Sequence, residues 1–421
     1  MLMQLRPILA SLRRHKLTTL ILVAQVALTF AIACNVAFMI SSRAQKVMVQ
    51  TGLNEATLTV VHVKDLTKGQ NIRAKHDTDL ANLSSIHGVQ AAVAVDALPL
   101  NAFDINLVMC TTPEAIGRVE SEDSYAGNHC AATSIFDGTQ GALSTLGLDL
   151  VGGRDFLPEE LAEVAPMQVL PDAHSVILPV ALAKKMFGED QVLGRNLYIG
   201  IPGRSEPLEL HVVGLVKHLL RPQLRDAGTN EDTVLISGLP GGSAVNYVLK
   251  SSEQDRATIA RAAVETLLHA DPNRLIPQES VETYTELRNR YFQRDVTMIK
   301  LLAAAASALF IVTAIGIAGL ASFWVQQRRR SIGVRRALGS TRAEVLQYFL
   351  LENGVLVAGG VLLGTVSAWF FNAQLMRQFE FGSLPTGYYF VAGVVMLVVG
   401  QVAAIGPAVR ASKVPPIVAT R

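Results

Sequence analysis

Charged residues are scarce in this 421-residue chain. They make up 17% of it, against the roughly one quarter typical of soluble globular proteins, while hydrophobic residues make up 50% and the mean hydropathy is positive. Acidic residues are scarcer still towards the two ends, because only three of the 35 lie outside residues 41–295. This composition excludes an ordinary soluble enzyme and makes a membrane protein the default interpretation.

Motifs for catalysis and for metal or nucleotide binding are also missing. The sequence contains no G-x-x-x-x-G-K-[ST] phosphate-binding loop and no Gly-Lys dipeptide. His211 and His218 stand seven residues apart without a third ligand nearby. Ligand spacing is equally absent among five other histidines of the middle region, which are His62, His76, His87, His129 and His174. We therefore predict no catalytic residue and no metal site.

Four long apolar runs are present instead. They are Leu17–Ile40, Leu301–Val325, Val345–Phe371 and Tyr388–Gly406, and only the third contains a charged residue, Glu352. At 1.5 Å per residue each would reach about 28–40 Å, enough to cross a hydrocarbon core of about 30 Å. The first run is too long for the apolar part of a cleavable signal peptide, so we interpret it as an uncleaved anchor.

The distribution of basic residues indicates how the chain is oriented in the membrane. Residues 41–295 hold 22 basic and 32 acidic residues, a net charge of −10. The rest of the chain holds 15 basic and 3 acidic residues, a net charge of +12. The basic segments 1–16, 326–344 and 408–421 flank the apolar runs, and the positive-inside rule places them in the cytoplasm. Residues 41–295 then form an outer domain that is large enough to bury its own core.

The first part of this outer domain predicts one β-α-β unit. A strand rich in β-branched residues at 57–64 is followed by a helical pattern at 78–89 and by a strand at 90–95. Polar, helix-forming residues at 41–52 also predict a stalk helix that continues the first span.

A second β-α-β unit follows about 150 residues later. Its strands are predicted at 244–250 and 274–282, around a helix at 251–270. Two such split halves suggest one ferredoxin-like layer with a subdomain of about residues 100–243 inserted between them. A second stalk helix is predicted at 281–300, leading into the second span.

Several motifs resemble one known family. The stretch "RRRSIGVRRALGSTRAEVLQYFLLENGVLVAGGVLLG" and the ending "PAVRASKVPPIVATR" resemble the C-terminal signature of ABC transporter permeases of the MacB/FtsX type. In the outer domain, "LSTLGLDLVGGRDFLPEE", "VILPVALAKKMFGEDQVLGRNL" and "HVVGLVKHL" resemble the periplasmic core domain of MacB-like permeases. Two departures stand out: Ser331 occupies a position where many members have an acid, and the ATPase domain fused in MacB is missing.

The resemblance implies a bacterial inner-membrane protein of nine segments. Its fold class is four transmembrane α-helices with a large α/β, split β-α-β, porter-like periplasmic domain inserted between spans 1 and 2. The segments are a cytoplasmic N-terminus (1–16), TM1 (17–40), the periplasmic domain with its stalk helices (41–295), TM2 (296–325), a cytoplasmic coupling loop (326–344), TM3 (345–371), a periplasmic loop (372–387), TM4 (388–407) and a cytoplasmic tail (408–421).

Partners and cofactors also follow from the resemblance. It implies a non-catalytic subunit that binds no cofactor, with ATP and Mg²⁺ held by a separate ABC ATPase dimer. It further implies a second permease chain, either identical or related. For an exporter it also implies a periplasmic membrane-fusion protein and an outer-membrane channel. Nucleic acid is not an expected partner. We expect efflux or envelope export. Two alternatives stay open: FtsX-like mechanotransmission that regulates a cell-envelope hydrolase or sensor, and a membrane-anchored ligand-binding protein.

The arginine-rich loop 326–344 carries the candidate site. Its six arginines, at about 2.5–3.5 kcal/mol each near the bilayer centre, would oppose insertion by roughly 15–20 kcal/mol, so the loop is predicted at the cytoplasmic surface. A short amphipathic helix is predicted at 331–338, ended by Gly339, with Thr341 and Glu344 starting the next helix.

The resemblance implies that this short helix docks into a groove of the ATPase. The coupling residues are then Ile332, Gly333, Val334, Arg335, Arg336, Ala337, Leu338 and Gly339. On the predicted helix, Val334, Ala337 and Leu338 share one face, and the two arginines lie on the other. The competing interpretation is that the arginines only fix topology and contact anionic lipid.

Two further predictions concern single residues. Glu352 lies in the third span near its inner end, and we predict a structural or hydrogen-bonding role rather than ion coupling. Cys110 and Cys130 both fall in the outer domain, where a disulfide closing about 20 residues would contribute roughly 3 kcal/mol in an oxidising compartment. Two free, partly buried thiols are the alternative.

Overall fold

The apolar runs and the alternating segments fold into different kinds of structure. The computed structural model describes residues 16–66, 71–101, 104–119, 124–163, 172–188, 191–202, 204, 206–225, 228–241, 244–277, 280–379 and 384–413, with the backbone alone for 375–379. These residues divide into a membrane unit, up to Met48 and from Arg294 onward, and a β-rich unit, Val49–Gln293.

The α-helices are α1 (Lys16–Val47), α2 (Ile72–Ser84), α3 (Pro113–Ile116), α4 (Ala142–Leu146), α5 (Val180–Phe187), α6 (Arg256–Ala270), α7 (Tyr284–Gln327), α8 (Arg329–Ala337), α9 (Arg342–Phe379) and α10 (Thr386–Ser412). The strands are β1 (Leu58–Asp65), β2 (Val89–Val95), β3 (Ile105–Cys110), β4 (Cys130–Gly138), β5 (Leu150–Gly153), β6 (Ala162–Glu163), β7 (Ser175–Pro179), β8 (Asn196–Ile199), β9 (Leu208–Val216), β10 (Thr233–Leu239), β11 (Ala244–Ser251), β12 (Arg274–Leu275) and β13 (Val281–Thr283).

Four helices of the described residues are long and apolar enough to cross a membrane: Lys16–Val47, Tyr284–Gln327, Arg342–Gln374 and Thr386–Ser412. Helix α1 continues beyond the first apolar run, and α7 starts well before the second. One span at the N-terminal side, three at the C-terminal side and a β-rich unit between them confirm the predicted fold class.

Glycines allow α9 to approach α1 closely within the membrane unit. A Cβ on Gly360 would lie 2.4 Å from Val26 Cγ1, and one on Gly364 would lie 2.8 Å from Phe30 Cδ1. Hydrogen bonds between spans add to this packing: Thr29 and Thr313 hydroxyl oxygens are 2.7 Å apart, and Asn353 Nδ2 donates to the Gly400 carbonyl over 2.9 Å. Small residues and polar links of this kind hold transmembrane helices together.

The β-rich unit contains the predicted ferredoxin-like layer. Strands β1 and β2 both pair antiparallel with β11, and β13 pairs antiparallel with β1, which gives the order β13-β1-β11-β2. Helices α2 and α6 contribute Leu83, Ile259, Ala263 and Leu267 to a core with residues of β1, β2 and β11. Two β-α-β halves are therefore interleaved, as expected for a split β-α-β fold.

Two local predictions in the second half are wrong. The segment 274–282 is not one strand: β12 and β13 pair with different parts of β1. Pro277 lies between them, and its carbonyl accepts from the Ser280 N–H over 2.8 Å. The second helix also starts at Arg256 rather than at residue 251, because Ser251 still belongs to the ladder between β11 and β2.

The inserted subdomain closes on itself. Strands pair in the order β4-β3-β8-β9-β7-β10, and β10 also pairs in parallel with β4, which makes a six-stranded closed barrel. Its interior is apolar, with Ile135, Val176, Leu210 and Val234 fully or almost fully buried. The sequence motifs at 176–197 and 211–219 thus supply barrel strands.

Candidate coupling site

The turn at Arg328 separates the end of the second span from the short helix α8. The Arg328 N–H donates to the Trp324 carbonyl over 3.1 Å, and the Arg328 carbonyl accepts from the Ile332 N–H over 2.9 Å. The same residue thereby closes α7 and opens α8. The chain can change direction here without leaving its backbone groups unpaired.

Gly339 ends α8 as the sequence predicts. Its φ of +103° is in the left-handed region, its N–H donates to the Arg336 carbonyl over 3.2 Å, and the Ser340 N–H donates to the Arg335 carbonyl over 3.1 Å. These two bonds make a Schellman motif, which favours glycine at this position.

The next helix begins with the predicted capping box. The Thr341 N–H donates to Glu344 Oε2 over 3.0 Å, and the Glu344 N–H donates to Thr341 Oγ1 over 3.2 Å. Both ends of the linker between α8 and α9 are therefore fixed by local hydrogen bonds.

The predicted coupling residues form a buried and an exposed group, with Arg336 half-buried between them. Ile332 and Gly333 are buried, and Ile332 packs with Val325, Val345 and Ala411. The exposed group contains Val334 at 44% and Leu338 at 83% exposure, with Arg335, Ala337 and Gly339. Burial of Ile332 orients α8 so that Val334, Ala337 and Leu338 form an exposed apolar edge.

Two of the four arginines of α8, Arg335 and Arg336, contact other helices of the membrane unit. Arg336 Nη1 donates to the Ser412 carbonyl over 2.7 Å, at the end of α10. The guanidinium carbon of Arg335 lies 4.8 Å from the centre of the Tyr348 ring on α9. Both side chains thus help to hold the helix against neighbouring helix ends, a role that the sequence did not predict.

Glu352 is bound by an arginine of the loop. Arg328 Nη1 donates to Glu352 Oε1 and Oε2 over 2.8 and 2.9 Å, and Glu352 is only 1% exposed. This contact agrees with the predicted hydrogen-bonding role of Glu352. Sequence reasoning missed the partner, although an acid inside a span commonly pairs with another ionisable group and Arg328 begins the arginine cluster that precedes the third span.

Cys110 and Cys130 stand opposite each other on β3 and β4 and form a disulfide in the structure. Val108, Ile116 and Tyr125 pack around the pair, together with Ala115. Cys34, on α1, is a buried free thiol. The state of the cysteine pair in solution stays a prediction.

The histidines make pairwise contacts. His211 Nδ1 lies 2.9 Å from Asn196 Oδ1, and His218 Nδ1 lies 2.8 Å from Glu231 Oε1. Across the described ranges, no three His, Cys, Asp or Glu side chains come together as a metal site would require.

Comparison with known proteins gives a family match to the membrane part of the chain. Residues 303–416 match the FtsX-like permease C-terminal family. Residues 303–416 thus form an FtsX-like permease C-terminal region.

Relatives extend the similarity beyond this region. The chain is 23% identical over 351 residues to the uncharacterized ABC transporter permease YknZ of Bacillus subtilis, covering 82% of this chain and 78% of YknZ. It is 34% identical over 264 residues to the macrolide export ATP-binding/permease protein MacB of Bdellovibrio bacteriovorus, covering 58% of this chain and 38% of MacB. The chain thus spans about two fifths of such MacB proteins, and the resemblance to MacB/FtsX-type permeases predicted from the motifs is confirmed.

Two solved structures of a periplasmic region and an extracellular domain are similar to part of this chain. The periplasmic region of MacB from Actinobacillus actinomycetemcomitans has 15% identity and a TM-score of 0.34, covering 58% of this chain and 97% of that structure. The extracellular domain of YknZ from Gram-positive bacteria has 14% identity and a TM-score of 0.31, covering 52% and 98%.

Proposed function

We propose that this chain is the permease subunit of an ABC transporter, and that α8 couples it to ATP hydrolysis in a separate ATP-binding subunit. The observation that carries the proposal is the exposed apolar edge of Val334, Ala337 and Leu338 on a helix that is fixed at both ends. The relatives named as ATP-binding/permease proteins support an ATP-binding subunit as the partner that covers this edge.

The proposed orientation follows from charge and from the disulfide. Basic residues outnumber acidic ones 15 to 3 outside residues 41–295, which favours a cytoplasmic α8 and an outer β-rich unit. A disulfide between Cys110 and Cys130 suits an oxidising compartment. ATP-driven movement of α8 would then pass through the spans to the outer unit.

Export from the envelope is the function we favour for the whole complex. Macrolide export is the function named for the MacB relatives, which align with this chain over 284 and 264 residues. In this proposal the chain itself is non-catalytic, ATP and Mg²⁺ bind to the partner, and a second permease chain completes the membrane part. A membrane-fusion protein and an outer-membrane channel would continue the export path.

Replacing Leu338 tests the coupling contact. Burying this side chain in a groove would contribute about 1.5–3 kcal/mol, so its loss should weaken binding about 10- to 100-fold. Leu338→Asp should do at least this, because a buried carboxylate without a partner is unfavourable. The tagged chain is purified from its host membranes, and co-eluting ATP-binding subunits are detected by photolabelling with 8-azido-ATP.

Arg329→Gln is the matched control, because it changes the loop charge by the same amount and its exposed side chain lies off the apolar edge. We expect the labelled subunit to be lost with Leu338→Asp and retained with Arg329→Gln. Equal retention in both variants would refute the contact and favour a loop that only fixes topology.

A further inference from the structure

The ion pair between Arg328 and Glu352 lies at the junction of three helices. Arg328 is the turn residue between α7 and α8, and Glu352 lies on α9. The guanidinium carbon of Arg328 also lies 5.9 Å from the centre of the buried Trp324 ring on α7. The side chain that defines the turn is therefore held from two neighbouring helices.

Further contacts attach the rest of α8. In the middle, Ile332 packs against Val325 of α7, Val345 of α9 and Ala411 of α10. At the end, Arg336 donates to the Ser412 carbonyl of α10. Each of the three C-terminal spans thus contributes at least one contact to α8, and the only charged pair among these contacts is Arg328–Glu352.

An ion or solute pathway at Glu352 does not fit this geometry. Both carboxylate oxygens accept from Arg328. The cavity beside them, lined by residues that include Trp324, Glu352 and Asn353, has a volume of about 20 Å³, little more than one water molecule requires. The acid is therefore placed to hold the turn, since its oxygens face a fixed cation rather than an open path.

We propose that Arg328 and Glu352 are positioning residues for coupling: their ion pair ties the start of α8 to the third span, so that movement imposed on α8 carries the C-terminal spans with it. The inference rests on the proposed function, because it takes the ATP-binding subunit as the source of that movement. The apolar edge binds the partner, and the ion pair transmits the displacement.

Partner binding by the apolar edge and transmission of movement by the ion pair can be measured separately. The experiment uses the full-length chain in lipid nanodiscs with its co-purified ATP-binding subunit. Glu352→Gln and Arg328→Gln should keep the 8-azido-ATP-labelled subunit bound. ATP turnover per bound subunit, measured as phosphate release, should nevertheless fall by about 2- to 30-fold, the range expected when a coupling residue is removed. Arg329→Gln, which removes the neighbouring positive charge, should leave turnover unchanged.

The exchanged pair Arg328→Glu with Glu352→Arg distinguishes coupling from general destabilisation. Recovery of turnover relative to either single exchange supports the inference, because the pair is restored with its charges reversed. Wild-type turnover in Glu352→Gln would overturn it, as would equal loss in Arg329→Gln. A failure of the proposed function is distinct: the ATP-binding subunit would then stay bound to Leu338→Asp, whatever the ion-pair variants do.

Discussion

In the membrane unit, buried Glu352 has an arginine against both carboxylate oxygens, whereas the β-rich unit buries acidic side chains in two different ways. Asp79 is paired with Arg274, whose Nη1 and Nη2 lie 2.9 and 2.8 Å from its oxygens. Asp96 and Asp137 instead lie next to each other, and the Asp137 N–H donates to Asp96 Oδ1 over 2.7 Å. The buried acid of the membrane unit is thus paired with a cation, whereas the β-rich unit also keeps two carboxyl groups side by side, an arrangement that is less unfavourable when one of them binds a proton.

Removing Arg274 should have the largest effect on stability. Its side chain is 2% exposed, so Arg274→Leu would leave the buried Asp79 without its cation, while Asp65, 3.4 Å from Arg274, would keep its ion pair with Lys75. Breaking such a pair typically lowers the free energy of unfolding by about 3–5 kcal/mol. Hydrogen exchange of peptides from β1 and β11, in the full-length chain, measures the change.

Arg261→Leu is the control for this variant, because Arg261 is exposed on α6. It should change stability by less than about 0.5 kcal/mol. Equal effects of the two variants would show that the Arg274 ion pairs do not stabilise the β-rich unit.

The carboxyl pair predicts a pH dependence. Burial raises the pKa of Asp96 to about 7, and burial together with the Asp96 charge raises the pKa of Asp137 well above its usual value. An unfolded aspartate titrates near pH 3.9, so the folded pair binds more protons than the unfolded chain between these values. The stabilisation is complete below about pH 4 and is lost as the pH rises through about 7.

Asp137→Asn should therefore stabilise the β-rich unit more at pH 8 than at pH 5. The gain is expected at pH 8 because burial disfavours the ionised carboxylate and not the neutral amide. Hydrogen exchange of β2 and β4 peptides, compared between variant and wild type at each pH, tests this. A gain that is the same at both pH values would rule out titration of the pair as its cause.

A smaller effect is expected from packing in the membrane unit, where two adjacent glycines offer a matched pair. A Cβ on Gly360 would lie 2.4 Å from Val26 Cγ1, whereas one on Gly359 would have nothing within 4 Å. Gly360→Val should lower stability by about 1–3 kcal/mol through overpacking. Thermal unfolding in nanodiscs should show a lower midpoint for Gly360→Val than for Gly359→Val; the reverse order would contradict the packing of α1 against α9.

Features set by nearby residues were predictable from the sequence. The spans follow from the length of the apolar runs, and the ends of α8 and α9 follow from Gly339 and from Thr341 with Glu344, because caps depend on residues three or four positions apart. The two β-α-β halves follow from their alternating strands and the helices between them. The exception is 274–282, where Pro277 breaks what the composition suggests is one strand.

Contacts between distant residues were not predictable. The barrel closes through parallel pairing of β10 with β4, about 100 residues apart, and strand composition does not specify a partner. The sequence analysis included Arg328 in the arginine-rich loop and predicted a hydrogen-bonding role for Glu352. Only the fold shows that the two side chains contact each other. Ile332 was predicted to contact the ATPase, and its burial became evident only from its packing against Val325, Val345 and Ala411.

The most direct test of the central claim is photo-crosslinking from position 338. A photoreactive amino acid replaces Leu338 in the full-length chain in its host membrane, and the same residue replaces Phe370, an exposed aromatic in the third span, as the lipid-facing control. We expect a cross-link from position 338 to a subunit that 8-azido-ATP labels, and none from position 370. Cross-links from position 338 to lipid alone would contradict the coupling role of α8.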